Sequence, residues 1–156
     1  RYKGLDELLT FWPKDVPLLM VGKCADGPLI NELTEIIKKR SLSVQWEKSF
    51  LDYSELSSLI CRTINVIIPH KDQSMIVSGA FYHAVGFGAN VLIRNGDFFR
   101  DYLSRFDFVT PFDNTNLPVV ISNKQYIDAE IVLKEVKSEY SNEVILDAWE
   151  KVFNAD

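Results

Sequence analysis

The residues best placed to bind a phosphate lie in the segment 64–93, which reads INVIIPHKDQSMIVSGAFYHAVGFGANVLI. An apolar strand pattern ends at Pro69, a polar loop follows, and Ser78 and Gly79 open a helix pattern of small and aromatic residues. Free backbone amides at a helix N-terminus, beside the carboxyl end of a parallel strand, commonly bind phosphate in α/β domains. The segment therefore predicts a site for a phosphate or diphosphate group.

The polar loop after this strand supplies further candidate contacts, and they would lie at the carboxyl end of a central strand. These candidates are His70, Lys71, Asp72, Gln73 and Ser74. Gly79 would let a diphosphate approach the backbone closely. In the alternative interpretation, Ser78 only caps its helix and Gly79 lets that helix pack on the sheet. The sequence leaves both interpretations open.

Three more candidates are predicted near the same edge of the sheet. Lys3 precedes Gly4 at the start of the first helix, just after an earlier strand should end, and could contact phosphate as a point charge. Gly22 ends the next strand pattern, and His83 follows Gly79 by one helical turn. Each also has an ordinary interpretation, as a surface lysine, a turn glycine or a packed histidine.

Other kinds of site are not indicated by the sequence. It contains no Walker loop, no GxGxxG and no nucleophile elbow. Cys24 and Cys61 lack metal-ligand spacing, as do the histidines, so no metal is expected. The formal charge of −5 argues against general nucleic-acid binding. Without a membrane-span pattern or a signal peptide, a cytoplasmic location is expected.

Helix and strand patterns alternate along most of the chain and must position these residues. Strands are predicted at 17–22, 43–50, 65–69 and 90–93, with a short last strand at 106–109. Asp52 and Glu55 form a capping-box pattern that starts one helix, and Asp26 or Gly27 can cap another. From Asn123 onwards the pattern is helical.

Strands that are apolar on both faces and separated by helices predict a parallel sheet covered by helices. We therefore expect residues 1–156 to form a single α/β domain, a Rossmann-like three-layer arrangement with a parallel sheet flanked by helices. In such a domain the ligand lies outside the carboxyl ends of the strands, at a switch in strand order.

Taken together, these landmarks resemble the C-terminal nucleotide-sugar-binding domain of GT-B glycosyltransferases of the retaining family 4 type, as in bacterial polysaccharide transferases. The segments that carry the resemblance are, in order, YKGLDELL, PLLMVGKCADGPLINELTEII, VQWEKSFLDYSELSSLICRTINVIIPH and SGAFYHAVGFGANVLI. The resemblance implies the C-terminal half of a GT-B fold. It also implies that the chain is a piece of a two-domain enzyme whose N-terminal domain binds the acceptor.

The resemblance further implies a role for each candidate residue. The donor diphosphate would be contacted by Lys3, Ser78 and Gly79, with help from Arg1. The base and ribose would lie near Phe50, His83 and Gly22. The transferred sugar would face Lys71, Asp72, Gln73 and Ser74. Many family members carry two glutamates around this helix, and the corresponding positions here are Met75 and His83.

The function that the resemblance implies is transfer of a sugar from a UDP- or GDP-linked donor to a glycan or lipid-linked acceptor, without a cofactor or metal. The isolated domain would bind donor weakly and catalyse nothing, and the acceptor-binding domain could bring peripheral contact with a membrane. The absence of both glutamates supports an alternative, a non-catalytic ligand- or partner-binding module on the same fold.

Overall fold

The computed structural model describes residues 3–71, 79–96, 100, 105–123 and 125–153. Within these ranges helices and strands alternate up to residue 94, as the sequence predicts. In chain order they are α1 (Leu5–Phe11), β1 (Leu18–Val21), α2 (Gly27–Arg40), β2 (Val44–Glu47), α3 (Tyr53–Ile60), β3 (Asn65–Ile68), α4 (Gly79–Gly86), β4 (Asn90–Arg94), β5 (Val109–Phe112), α5 (Leu117–Asn123), α6 (Ala129–Tyr140) and α7 (Asn142–Phe153).

The described strands form two parallel sheets rather than one continuous sheet. β1 pairs with β2, and β3, β4 and β5 pair in that order. The chain therefore steps from β1 to β2 in one sheet and from β3 to β5 in the other. Residues of both β1 and β3 line a single cleft between the sheets.

Helices cover both faces of the strands and form a separate apolar core on each. Successive side chains of β4 point to alternate faces of the sheet, so Val91 and Ile93 join one core and Leu92 joins the other. One core is built mainly from α1, α2 and α5, and contains Leu8, Leu9, Trp12, Leu33, Phe112 and Leu117. The other is built mainly from α3, α4 and α6, and contains Ile60, Phe81, Ala84, Val85, Phe108 and Val132. The fold is thus a Rossmann-like three-layer α/β arrangement, as predicted.

Two predicted helix starts are confirmed by their hydrogen bonds. The Asp52 carboxylate accepts from the Glu55 amide, and the Glu55 carboxylate accepts from the Asp52 amide, each at 2.8 Å. Asp26, rather than Gly27, caps α2, because its carboxylate accepts from the Leu29 amide at 3.0 Å. These side chains satisfy amides that a helix start would otherwise leave without a partner.

The end of the fold differs from the prediction. The last strand is Val109–Phe112, not 106–109, because the Val109 amide donates to the Phe106 carbonyl in a turn that precedes the strand. Helix α5 was missed, although the Asp113 carboxylate begins it by accepting from the amides of Thr115 and Asn116. These hydrogen bonds form an Asx turn directly before the helix.

Candidate functional site

Gly4 allows the start of α1 to pack closely against the end of β3. Gly4 has φ 66°, and a Cβ added there would lie 2.1 Å from the Pro69 carbonyl oxygen. Only glycine combines a left-handed backbone with so close an approach at low cost. The contact places the residues before and after Gly4 at the carboxyl edge of β3, where the sequence predicts the ligand.

Lys3 and His70 meet at this edge. The Lys3 Nζ lies 3.3 Å from the His70 Nε2. Burial lowers the pKa of His70, and the positive charge of Lys3 lowers it further. The ring is therefore neutral at pH 7, so Lys3 and not His70 carries the positive charge of this pair.

Lys71 lies in a compact network of charges with α1. Its Nζ is 2.8 Å from the Asp6 Oδ2 and 3.0 Å from the Glu7 Oε1. The Nη1 of Arg94, at the end of β4, is 3.0 Å from the Glu7 Oε2 and donates at 3.0 Å to the Asn114 Oδ1. Two cations thus face two carboxylates, so this network has no net charge.

The pKa values of the network follow from these contacts. Burial works to raise the pKa of Asp6, but the hydrogen bond and charge of Lys71 lower it overall. Hydrogen bonds from Lys71 and then Asn114 lower the pKa of Glu7. Burial works to lower the pKa of Lys71, yet the two carboxylates raise it. Asp6, Glu7 and Lys71 are therefore each held in their charged form. The ammonium of Lys71 pairs with the two carboxylates of α1.

Gly22, at the end of β1, lines the same cleft as Lys3 and His70. This cleft has a volume of about 1070 Å³ and is also lined by apolar side chains of β1, β3 and α3. The Gly22 amide donates to the Glu47 carbonyl at 3.0 Å, so the β1–β2 ladder extends to this residue. Lys23, which follows it, also lines the cleft. The structure thus brings Lys3, Gly22 and His70 together at the mouth of a single cleft.

His83 lies in an aromatic cluster between α4 and α3. Its ring centroid is 5.2 Å from those of Tyr53 and Phe87. The buried Nε2 of His83 has no hydrogen-bond partner among the described residues. Phe50 and Tyr53, which flank the start of α3, are 84% and 68% exposed. These two exposed rings offer flat faces on which a base can stack.

Sequence reasoning missed three residues: Asp6 and Arg94 in the charge network, and Tyr53 beside His83. Tyr53 had a recognisable signal, since it follows the cap residue Asp52 and lies close in sequence to Phe50. Asp6 and Arg94 had none, because their partners come from distant elements.

Gly79 is the first described residue of α4. A Cβ added there would meet no described atom within 4 Å. Contact with the described residues therefore does not require glycine at this position.

Several predicted site residues lie outside the described residues, and the structure does not locate them. They are Arg1, Asp72, Gln73, Ser74 and Ser78, together with Met75, which matches a glutamate position of the family.

Two classes of feature are absent from the part of the chain that the structure describes. It holds no group of three or more His, Cys, Asp or Glu side chains that could bind a metal ion. None of its helices has both the length and the apolar character needed to cross a membrane.

Comparisons of the chain with protein-family models, with curated proteins and with solved structures gave no match. The function must therefore be argued from the site itself.

Proposed function

We propose that this domain binds the nucleoside diphosphate of a nucleotide-sugar donor, and that it is the donor-binding part of a glycosyltransferase. The reaction would transfer a sugar from a UDP- or GDP-linked donor to a glycan or lipid-linked acceptor. A cytoplasmic location, where such donors are made available to enzymes, belongs to the same proposal.

The observation that carries the proposal is the cluster of Lys3, Gly22 and His70 at the mouth of one cleft. The ammonium of Lys3 lies beside an uncharged ring at the carboxyl end of β3. A lysine in this position can contact an anionic ligand as a point charge.

A diphosphate leaving group gains negative charge as the bond to the sugar breaks. Fixed backbone amides and a lysine stabilise such charge without a metal ion. The backbone at Gly79 and the ammonium of Lys3 would supply these two elements. The exposed rings of Phe50 and of Tyr53, which packs edge-on against His83, would receive the base.

The test is an amide NMR titration of the folded chain with UDP, GDP, ADP, CMP and NAD in parallel. The proposal predicts shifts at Lys3, Gly22, Phe50 and Gly79 with one nucleoside diphosphate and not with the others. Failure of all five to shift these amides at millimolar concentration would contradict the proposal.

A pair of glycine variants on α4 makes the test sharper. Gly79→Ala should weaken binding of the diphosphate about tenfold, because the new methyl group would occupy the space of a phosphate oxygen. Gly86→Ala is the matched control, since an added Cβ at Gly86 also meets no described atom within 4 Å. Both variants should keep the stability of the parent. If the two variants bind the diphosphate with equal affinity, Gly79 does not contact it.

The second candidate is a non-catalytic module that binds a ligand or partner on the same fold. It is favoured by His83, which stands at a glutamate position of the resembling family and packs against Tyr53 and Phe87. This candidate predicts no selectivity among the five nucleotides.

A further inference from the structure

Among the residues that the structure describes, no strand lies between β1 and β3. The ladder from β1 to β2 includes hydrogen bonds from the Leu18 amide to the Ser43 carbonyl and from the Gly22 amide to the Glu47 carbonyl. Successive residues of a strand direct their backbone groups to alternate sides. Leu19 and Val21 therefore direct their N–H and C=O groups away from β2, toward the cleft.

The side chains along these edges are apolar but incompletely covered. Leu19 in β1 is 38% exposed, and Ile64 just before β3 is 70% exposed. In β4, which has a neighbour on each side, Val91, Leu92 and Ile93 are fully buried. Parallel strands under helices are normally buried on both faces. The exposure of Leu19 and Ile64 beside the cleft therefore indicates that a neighbouring strand is missing there.

The direction of a strand in this position follows from α1. Gly4, at the start of α1, contacts the end of β3, and β1 follows α1 along the chain. α1 thus runs back from the carboxyl edge, and β1 returns toward it, parallel to β3. A strand that lay in the cleft and ended beside Gly4 would lead into α1 and then β1 as a strand–helix–strand crossover.

The order of strands supports the same position. With one strand inserted, the sequence across the sheet would be β2, β1, the inserted strand, β3, β4 and β5. This is the order of a classic doubly wound sheet, with its switch point at the inserted strand. The two sheets would then join into one.

We propose that the cleft between β1 and β3 binds one extended apolar segment of polypeptide, parallel to both strands and ending beside Gly4. The inference does not rest on nucleotide binding, since it is argued from the backbone groups of β1 and from the apolar side chains that line the cleft. A segment of about five residues matches the four-residue strands on either side at about 3.3 Å per residue.

A polypeptide strand suits this cleft better than an apolar small molecule does. The walls present backbone donors and acceptors at Leu19 and Val21 as well as apolar side chains of α3, such as Leu56 and Ile60. A strand pairs the backbone groups and covers the side chains, whereas an apolar molecule would leave buried polar groups without partners.

The first arm of the test joins a strand to the chain. The extension Val-Ile-Val-Leu-Ile is placed before Arg1 through a short glycine-serine linker. The matched control carries Pro in place of the second and fourth residues, because proline keeps the extension apolar but cannot donate to a ladder. Amide hydrogen exchange at Leu19 and Val21 should slow about a hundredfold with the first extension and remain unchanged with the second.

The second arm uses the 156-residue chain as it is, with the same two segments added as free peptides. The apolar peptide should shift the amides of Leu19, Val21 and Val66, and its proline version should not. If neither the fused nor the free apolar segment protects these amides, the proposal is wrong. It is also wrong if the proline versions protect them equally, because the cleft would then take any apolar material rather than a strand.

Discussion

β1 and β4 have similar apolar sequences and opposite environments. β4 pairs on both sides and buries Val91, Leu92 and Ile93 completely. Among the described strands, β1 pairs with β2 alone, and its Leu19 is partly exposed. The burial of a strand in this molecule is therefore decided by its neighbours and not by its composition.

The carboxyl ends of the strands differ in a related way. At the ends of β4 and β5, Arg94 and Asn114 hydrogen-bond to each other and to Glu7. At the ends of β1 and β3, Gly22 and His70 face a cleft. The first region holds α1 in place, and the second has room for a ligand.

The largest effect is expected from breaking the contact that joins α1 to β3. Gly4→Ala should destabilise the fold by about 4 kcal/mol, since its Cβ would overlap the Pro69 carbonyl oxygen and the backbone would be strained. Chemical denaturation of this variant beside Gly86→Ala measures the difference. A loss of stability no greater than that of Gly86→Ala would contradict the close contact.

A smaller loss of stability is expected from truncating a leucine in β4 or in β1. Leu92→Ala should cost about 3 kcal/mol, because it leaves a cavity in a closed core, and Leu19→Ala should cost under about 1 kcal/mol. Denaturation curves of the two variants test the comparison directly, as both remove the same atoms. Similar losses would show that β1 is as well packed as β4.

Removal of Lys71 tests the charge network that holds α1. Lys71→Met should destabilise the fold by about 1 kcal/mol at neutral pH, since Asp6 and Glu7 lose a shared partner that is itself only partly buried. The control is Lys14→Met, at an exposed site outside the network.

The same variant should change how stability depends on pH. The pKa values of Asp6 and Glu7 are lowered in the fold from ordinary values of 3.8 and 4.5. Their stabilisation is therefore present above those values and is lost as the pH falls through the lower folded values. Stability measured from about pH 6 to about pH 2 should fall less steeply in Lys71→Met than in the parent. Parallel curves would contradict the network.

The smallest effect concerns the mouth of the cleft. The pKa of His70 is lowered first by burial and then by Lys3. Lys3→Met should therefore raise the pKa of His70 while leaving it below its ordinary value, which NMR titration of the imidazole can measure. An unchanged pKa would mean that the two side chains are not close in solution.

Local signals in the sequence predicted most of the strands and both helix caps. The capping box of Asp52 and Glu55 is an example, because its partners are only three residues apart. The last strand was misplaced because Phe106 and Phe108 are as apolar as strand residues. Their rings instead stack at 4.9 Å in the core just before the strand.

Long-range contacts could not be predicted from local patterns. Lys71 was expected to face a donor sugar, but it pairs with Asp6, which lies 65 residues away in the chain. Nor does any pattern of apolar residues reveal that β1 and β3 are not paired with each other, since both read as buried strands. Of the predicted site residues, Lys3, Gly22 and His70 line one cleft, and His83 lies in a separate aromatic cluster.

The contact between Gly4 and Pro69 also bears on how the chain is made. At about 5 to 20 residues per second, a ribosome completes the docking partner of α1 about 3 to 13 s after α1 itself. During that interval the adjacent carboxylates of Asp6 and Glu7 have no Lys71 to pair with. The first helix in the sequence can therefore reach its final position only after β3 has been made.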